Sequence, residues 1–168
     1  MSDAQHDFSP EGENGRAYRD ALGKFATGVT IVTCNSEIGP LGMTVNSFAS
    51  VSLDPPLVLW SPARASQRCA AFEAAEHFAI HVLNDTQKDH CHVFAREGTN
   101  FETLDWSLSD KGVPLIEGCM ARFQCLRHAV HDGGDHSIIV GRVIAASVSD
   151  GNPLVFSRGA FGQFARME

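Results

Sequence analysis

The chain of 168 residues, 43% hydrophobic and 20% charged, has the size of one domain and enough apolar residues to bury a core. A formal net charge of −7 excludes a broad basic face for duplex nucleic acid, so any anionic ligand must rely on local arginines and backbone N–H groups. No apolar run approaches the length of a spanning helix, and the polar residues 1–14 lack the apolar stretch of a signal peptide.

Residues 1–14, rich in Asp, Glu, Gly and Ser, read as a flexible tail ahead of a single domain over residues 15–168. Asn14 can cap a helix in which Ala17, Tyr18, Ala21, Leu22 and Phe25 recur at helical spacing, with Gly28 ending it. Residues 29–34 (VTIVTC) are β-branched and strand-like, and residues 35–42 carry the Gly and Pro of a turn. Residues 43–53 alternate as one long strand. Met43, Val45, Ala49, Val51 and Leu53 share a face, opposite Thr44, Asn46, Phe48, Ser50 and Ser52. Pro55 and Pro56 stop that strand, and residues 57–60 start the next.

Ser66 can cap an Ala-rich helix reaching Ala75, and residues 77–83 (HFAIHVL) alternate as a strand. Asn84 or Asp85 caps a helix that carries His90, Cys91 and His92 and ends near Ala95. Residues 96–114 are long for a structureless loop, which points to function or short helices there. Residues 120–130 and 137–148 flank the turn-rich HDGGDH segment, the strongest hairpin signal in the chain. A last strand over residues 154–157 precedes an RGAFGQF tail. About six strands joined mostly by turns, with only short helices, argue for an antiparallel barrel rather than a βαβ sheet. A barrel would also leave the long hairpin without an exposed edge.

The five cysteines, Cys34, Cys69, Cys91, Cys119 and Cys125, form no CxxC pair and are expected as reduced thiols of a cytoplasmic protein. Thr44, Asn46, Ser47 and Ser50, followed by Ser61, Arg64 and Ser66, form a row of hydroxyls and an amide leading to a cation at a helix start. A flavin needs such groups along its ring edge, ribityl chain and phosphate; a solvated strand face with an ordinary cap is the alternative. His136, raised on the Gly133-Gly134 turn, can lay its ring against a planar ligand or merely stand exposed on a hairpin. His90, Cys91, His92, Cys125, His128, His131 and His136 offer zinc-type ligands, but without a standard metal spacing, so no metal site is expected. No G-x-S-x-G, G-x-G-x-x-G or Walker A sequence occurs, so a nucleotide would bind without a Rossmann unit or P-loop.

In order and spacing, FATGVTIVTC, GMTVNSFASVSLDPPLVLW, SPARAS, FAIHVL, GDHSIIVGRV and PLVFSRGAFGQF resemble the flavin reductase family, which includes the reductase components of two-component flavin monooxygenases. The TVNSFASVSLDPPLV run and the GDH turn are the specific parts. The resemblance implies a mainly β fold: an antiparallel Greek-key split barrel of the FMN-binding type with a few short helices. It also implies a homodimer with flavin sites near the subunit interface. The activity it implies is hydride transfer from NADH or NADPH to FMN or FAD, with reduced flavin diffusing to a partner monooxygenase.

Carried onto this chain, Thr44, Asn46, Ser47 and Ser50 would line the flavin ring and ribityl chain. Ser61, Arg64 and Ser66 would hold the ribityl and phosphate end, closed by Phe94 and Arg96. His136 would meet the nicotinamide, with Arg158 and Phe161 near the same mouth. Many relatives carry Tyr in place of Phe161, which leaves ring stacking there but no hydroxyl contact. Two alternatives stand beside this reading. One is a flavoprotein that keeps FMN tightly bound and reduces another acceptor; the other is a split-barrel protein that holds flavin or haem without turnover.

Overall fold

The computed structural model describes residues 6–167, so residues 1–5 of the expected tail lie outside it. Helix α1 (Gly15–Leu22) stops at Gly23, whose N–H reaches the carbonyls of Arg19 and Ala21, well before Gly28. Gly28 belongs instead to a two-residue strand, β1 (Thr27–Gly28). The apolar positions of this first segment are not covered by the rest of the chain, and Tyr18, Leu22 and Phe25 are exposed.

The β-branched run forms β2 (Thr30–Ser36), buried from Thr30 to Cys34. It pairs antiparallel with β3 (Gly39–Val45) on one side and β6 (His77–Val82) on the other. The turn expected over residues 35–42 contracts to Glu37 and Ile38. Gly39 supplies the positive φ, and Pro40 joins β3, an outer strand where a missing N–H costs no ladder bond. The HDGGDH hairpin is longer than expected: β9 (Ala121–Gly133) and β10 (His136–Val148) run 13 residues each. Only Gly134 and Asp135 separate them, and positive φ at Gly134 gives the primed turn that matches strand twist. Next to β10 come β5 (Pro56–Trp60) and then β4 (Ala49–Leu53), giving the order β3-β2-β6-β9-β10-β5-β4.

The single strand expected over residues 43–53 is therefore two strands, at opposite edges of the sheet, linked by residues 46–48. The parity of the apolar positions survives across the link, which is why alternation alone hides the break. Four Cα steps from Val45 to Ala49 span at most about 14 Å. Seven flat strands would hold their outer members roughly 29 Å apart. The sheet must curl until its two edges approach. No ladder joins β3 to β4 among the described residues, so the curl is split rather than closed. The long hairpin is flanked on both sides, by β6 along β9 and by β5 along β10, whereas β4 is an outer strand on which Leu53 is 96% exposed.

Inside the curl lie Val32, Met43, Trp60, Phe72, Phe78 and Ile139, with the Trp60 and Phe72 rings meeting edge-on at 5.0 Å. Phe72 comes from α2 (Cys69–Ala74), which starts three residues after the expected cap Ser66 because residues 64–68 are spent in turns. A second core gathers Ile31, Leu83, Cys91, Phe94 and Ile116 beneath α3 (Lys88–Arg96). The irregular stretch after α3 holds a short strand rather than helices: β7 (Trp106–Leu108) pairs with β8 (Pro114–Ile116). The RGAFGQF tail is also strand. β11 (Leu154–Ser157) turns through Arg158 and Gly159 into β12 (Ala160–Gln163), and β1 pairs on the other side of β11.

His81 ties three of these parts together. Its ring is fully buried; Nδ1–H donates to the Ile31 carbonyl at 3.0 Å, and Nε2 accepts from the Ile116 N–H at 3.0 Å. Burial pushes its pKa down to about 4, so the neutral tautomer that these two bonds require is the stable one.

Candidate functional site

The start of β10 is held by the turn that follows β5. Ala63 bridges His136, the Ser137 N–H donates to the Pro62 carbonyl at 3.0 Å, and the Arg64 N–H donates to the Asp135 carbonyl at 2.9 Å. The Arg64 guanidinium then donates through Nε to the His136 carbonyl at 3.2 Å and through Nη2 to Asp132 at 2.7 Å. Asp135 and His136 contact each other at 2.7 Å through Oδ1 and Nδ1, which leaves Nε2 as the ring nitrogen open to a ligand. The histidine holds the Asp135 carboxyl below the usual carboxylate range.

The link between β3 and β4 is clipped to the end of β5. Ser47 Oγ accepts from the Ser61 N–H at 2.9 Å and donates to the Ser61 carbonyl at 3.2 Å. Asn46 and Ser47 line a cleft of about 400 Å³ with apolar walls from Leu22, Phe25, Phe48 and Phe156. Ser50 is exposed on β4. Thr44 donates its hydroxyl to the Cys91 carbonyl at 2.7 Å, so it anchors α3 to β3.

Ser66 and Arg96 line a larger cleft of about 1060 Å³, together with Arg68, Thr99, Ala70, Ala74 and Ile38. Phe94, expected to close that side, is instead a core residue. It is fully buried, and its ring occupies the space that a side chain at Gly42 would take. The reason is helix geometry: Cys91 and Phe94 lie three apart on the inward face of α3, while Val93 is half-buried and Arg96 exposed. Phe161 packs its ring edge against His92 at 5.3 Å, with the Lys88 ammonium 5.6 Å from the ring centroid. Arg158 takes φ 52 in the last hairpin turn and donates its N–H to the Gly23 carbonyl at 2.8 Å. The structure thus brings together Arg64 with His136 and Ser47 with Ser61. Ser66 closes the same turn as Arg64 and lines the larger cleft with Arg96, while Arg158 and Phe161 lie in the last hairpin beside the smaller cleft, Arg158 bonded to Gly23 and Phe161 packed on Phe156 at 5.3 Å.

Arg68 was invisible to sequence reasoning. Its guanidinium donates to the carbonyls of Gly42 at 2.9 Å, Phe94 at 2.7 Å and Ala95 at 3.3 Å, binding the C-terminal end of α3 to β3. Burial lowers its pKa. Its partners are backbone oxygens remote in the chain, which no spacing rule reveals. Among the described residues, no three His, Cys, Asp or Glu side chains converge as metal ligands. All five cysteines are free and buried, and burial pushes the Cys34 and Cys125 thiols up to about 12. No helix is long and apolar enough to cross a membrane among the described residues.

A family model described as flavin reductase like domain matches residues 22–165. The chain belongs to the flavin reductase family. It is 60% identical over 162 residues to the FMN reductase (NADH) SmoA of Agrobacterium fabrum, covering 96% of this chain and 93% of that one. It is 46% identical to the reductase component of the flavin-dependent trigonelline monooxygenase of Acinetobacter baylyi, covering 87% of this chain but only 48% of that protein. Among solved structures, the NADH:FAD oxidoreductase SgcE6 of Streptomyces globisporus superposes with a TM-score of 0.91 at 36% identity, covering 100% of this chain and 96% of that one. SgcE6 has also been solved in complex with NAD and FAD fragments.

The donor set of this flavin reductase chain fits a flavin. The neutral hydroxyl and amide of Ser47 and Asn46 stand beside aromatic walls suited to a flat ring, and Ser66 with Arg96 offers hydroxyl and cation to a phosphate.

Proposed function

We propose that this protein is an NADH:flavin oxidoreductase with FMN or FAD as acceptor, supplying reduced flavin to a separate monooxygenase. The 60% identity to an FMN reductase (NADH) favours the NADH and FMN pair, over NADPH and FAD. The single observation that carries the site reading is the joining of the Ser61–Ser66 turn to the start of β10 through Ala63, Arg64 and His136. It puts a group suited to nicotinamide on the same rigid unit as groups suited to flavin.

In this reading the bound flavin supplies the hydride acceptor, and the chain positions two rings and excludes water. Asn46, Ser47 and Ser50 orient the ring and ribityl chain, and Thr44 holds α3 where it borders them. Ser61, Ser66 and Arg96 take the ribityl and phosphate end, with Arg64 fixing the turn that carries them. His136 positions the nicotinamide through Nε2, and Arg158 and Phe161 flank its entry. No protein acid or base is needed for the hydride itself.

A homodimer is part of the proposal. Exposed Val51 and Leu53 on the open β4 edge, with Val148 on β10 and the uncovered Tyr18, Leu22 and Phe25, offer apolar surface for a second copy. The free buried thiols suit the reducing cytoplasm.

Steady-state NADH and NADPH oxidation with FMN, FAD and riboflavin in turn tests the activity. A protein purified yellow that turns over no added flavin would favour a tightly bound prosthetic group. In the same assay His136→Ala is expected to raise KM for NADH about tenfold while flavin affinity stays near wild type. Equal loss of both, or loss of neither, would remove His136 from the site.

A further inference from the structure

Glu73 stands apart from every residue discussed so far, on α2, behind the strand that carries His136. Its carboxylate Oε1 accepts a hydrogen bond from the Ser137 hydroxyl, and Ser137 is fully buried. The Cys69 thiol, one helical turn earlier, lies 3.7 Å from the same oxygen. The Glu73 backbone carbonyl accepts from the Arg127 guanidinium on β9, the partner strand of β10. One residue of α2 therefore holds both strands of the long hairpin, β10 next to the turn and β9 at its middle.

Successive side chains on a strand point to opposite faces. Ser137 points in towards α2, so His136 points out on the other face, where its side chain is 44% exposed. Backbone bonds to β9 on one side and to Pro62 and Arg64 on the other hold this strand start in the plane of the sheet, and the Arg64 Nε bond to the His136 carbonyl adds to them. The Ser137–Glu73 bond braces the inward face of the strand start against α2, out of the plane in which those bonds act. A rotation of the strand start would swing the His136 ring away from whatever it meets on the surface, and displacement by about 1 Å is enough to cost a reacting pair up to about a hundredfold.

We propose that Glu73 is a positioning residue for nicotinamide binding, acting through Ser137 on the orientation of His136. This rests on the role given to His136 above. A purely structural role for Glu73 would lower stability and affect flavin and nicotinamide binding alike. A positioning role moves nicotinamide binding alone, and only while His136 is present.

The test is a double-mutant cycle read by KM for NADH, by NAD⁺ affinity in calorimetry, and by the His136 ring resonance in the ligand-free protein. Glu73→Ala and Ser137→Ala are each expected to raise KM for NADH about fivefold to tenfold, with flavin affinity within about twofold of wild type. Both should shift the His136 ring signal. Glu73→Gln, which keeps a carbonyl acceptor for Ser137, is expected to restore KM to within about twofold. Placed on His136→Ala, Glu73→Ala should add nothing further.

An unchanged KM in Glu73→Ala, or an equal further loss on the His136→Ala background, overturns the inference. If His136→Ala alone leaves KM unchanged, the role of His136 falls and the inference with it, a result the single variant distinguishes from the first. Should Glu73→Ala fail to fold, Ser137→Ala carries the same expectation and is judged by the same outcomes.

Discussion

Acidification should loosen this fold through His81. In the folded chain its pKa lies at about 4, against 6.5 for the free side chain, because a charged imidazole would be stranded in the core and would lose the bond from the Ile116 N–H. Above about pH 6.5 the ring is neutral in both states and the folded arrangement carries its full advantage. As pH falls towards 4 the unfolded chain takes up a proton that the folded chain refuses. Stability drops by about 1.4 kcal/mol per pH unit over that window, or about 3 kcal/mol in all, and the loss is complete below the folded pKa. Urea unfolding of wild type and His81→Gln across about pH 7 to 4.5 isolates this contribution, since every other titrating group is common to both proteins. The wild type is expected to lose about 2.5 kcal/mol more than the variant across the series. Parallel stability curves would refute the reasoning and mean that the ring is solvated or charged in the native state.

Two further outcomes follow from packing. A methyl group at Gly141 would lie 2.5 Å from Cζ of Phe78 and 2.9 Å from Cβ of Cys125, so Gly141→Ala should cost about 1–3 kcal/mol, visible as a lowered Tm. The buried thiols should resist alkylation in the native protein near pH 8, with all five modified only after denaturation; mass spectrometry showing fast native labelling of Cys34 or Cys125 would contradict their burial.

Much of this architecture was legible in the chain. The β-branched run of β2, the alternation of β6 and the glycine turn of the long hairpin each carry a local signal, and each became a strand. What escaped depends on contacts between distant segments. The break at residues 46–48 preserves the alternation on both sides, so only the sheet order reveals it. The helical spacing of Ala17, Tyr18, Ala21 and Leu22 matches the helix that forms, but Phe25 falls beyond its end, and Tyr18, Leu22 and Phe25 stay exposed. At the site, the pairings Ser47–Ser61 and Arg64–His136 join residues that the motifs had already singled out. Phe94 shows the limit, because a motif position does not say which face of a helix it occupies.

The short link between β3 and β4 has a consequence for how the chain reaches this state. Its two flanking strands are neighbours in sequence yet the most distant members of the sheet, so they can take their final places only after β2, β6, β9, β10 and β5 have aligned between them. Local pairing of β9 with β10 can nucleate early, but the sheet's outer strands wait on long loop closures. Such topologies fold in milliseconds to seconds rather than microseconds. The slow step would be the final wrapping of the sheet, when residues 46–48 draw taut and Ser47 clasps Ser61. The flavin site proposed at that seam would then exist only in chains that have completed the wrap.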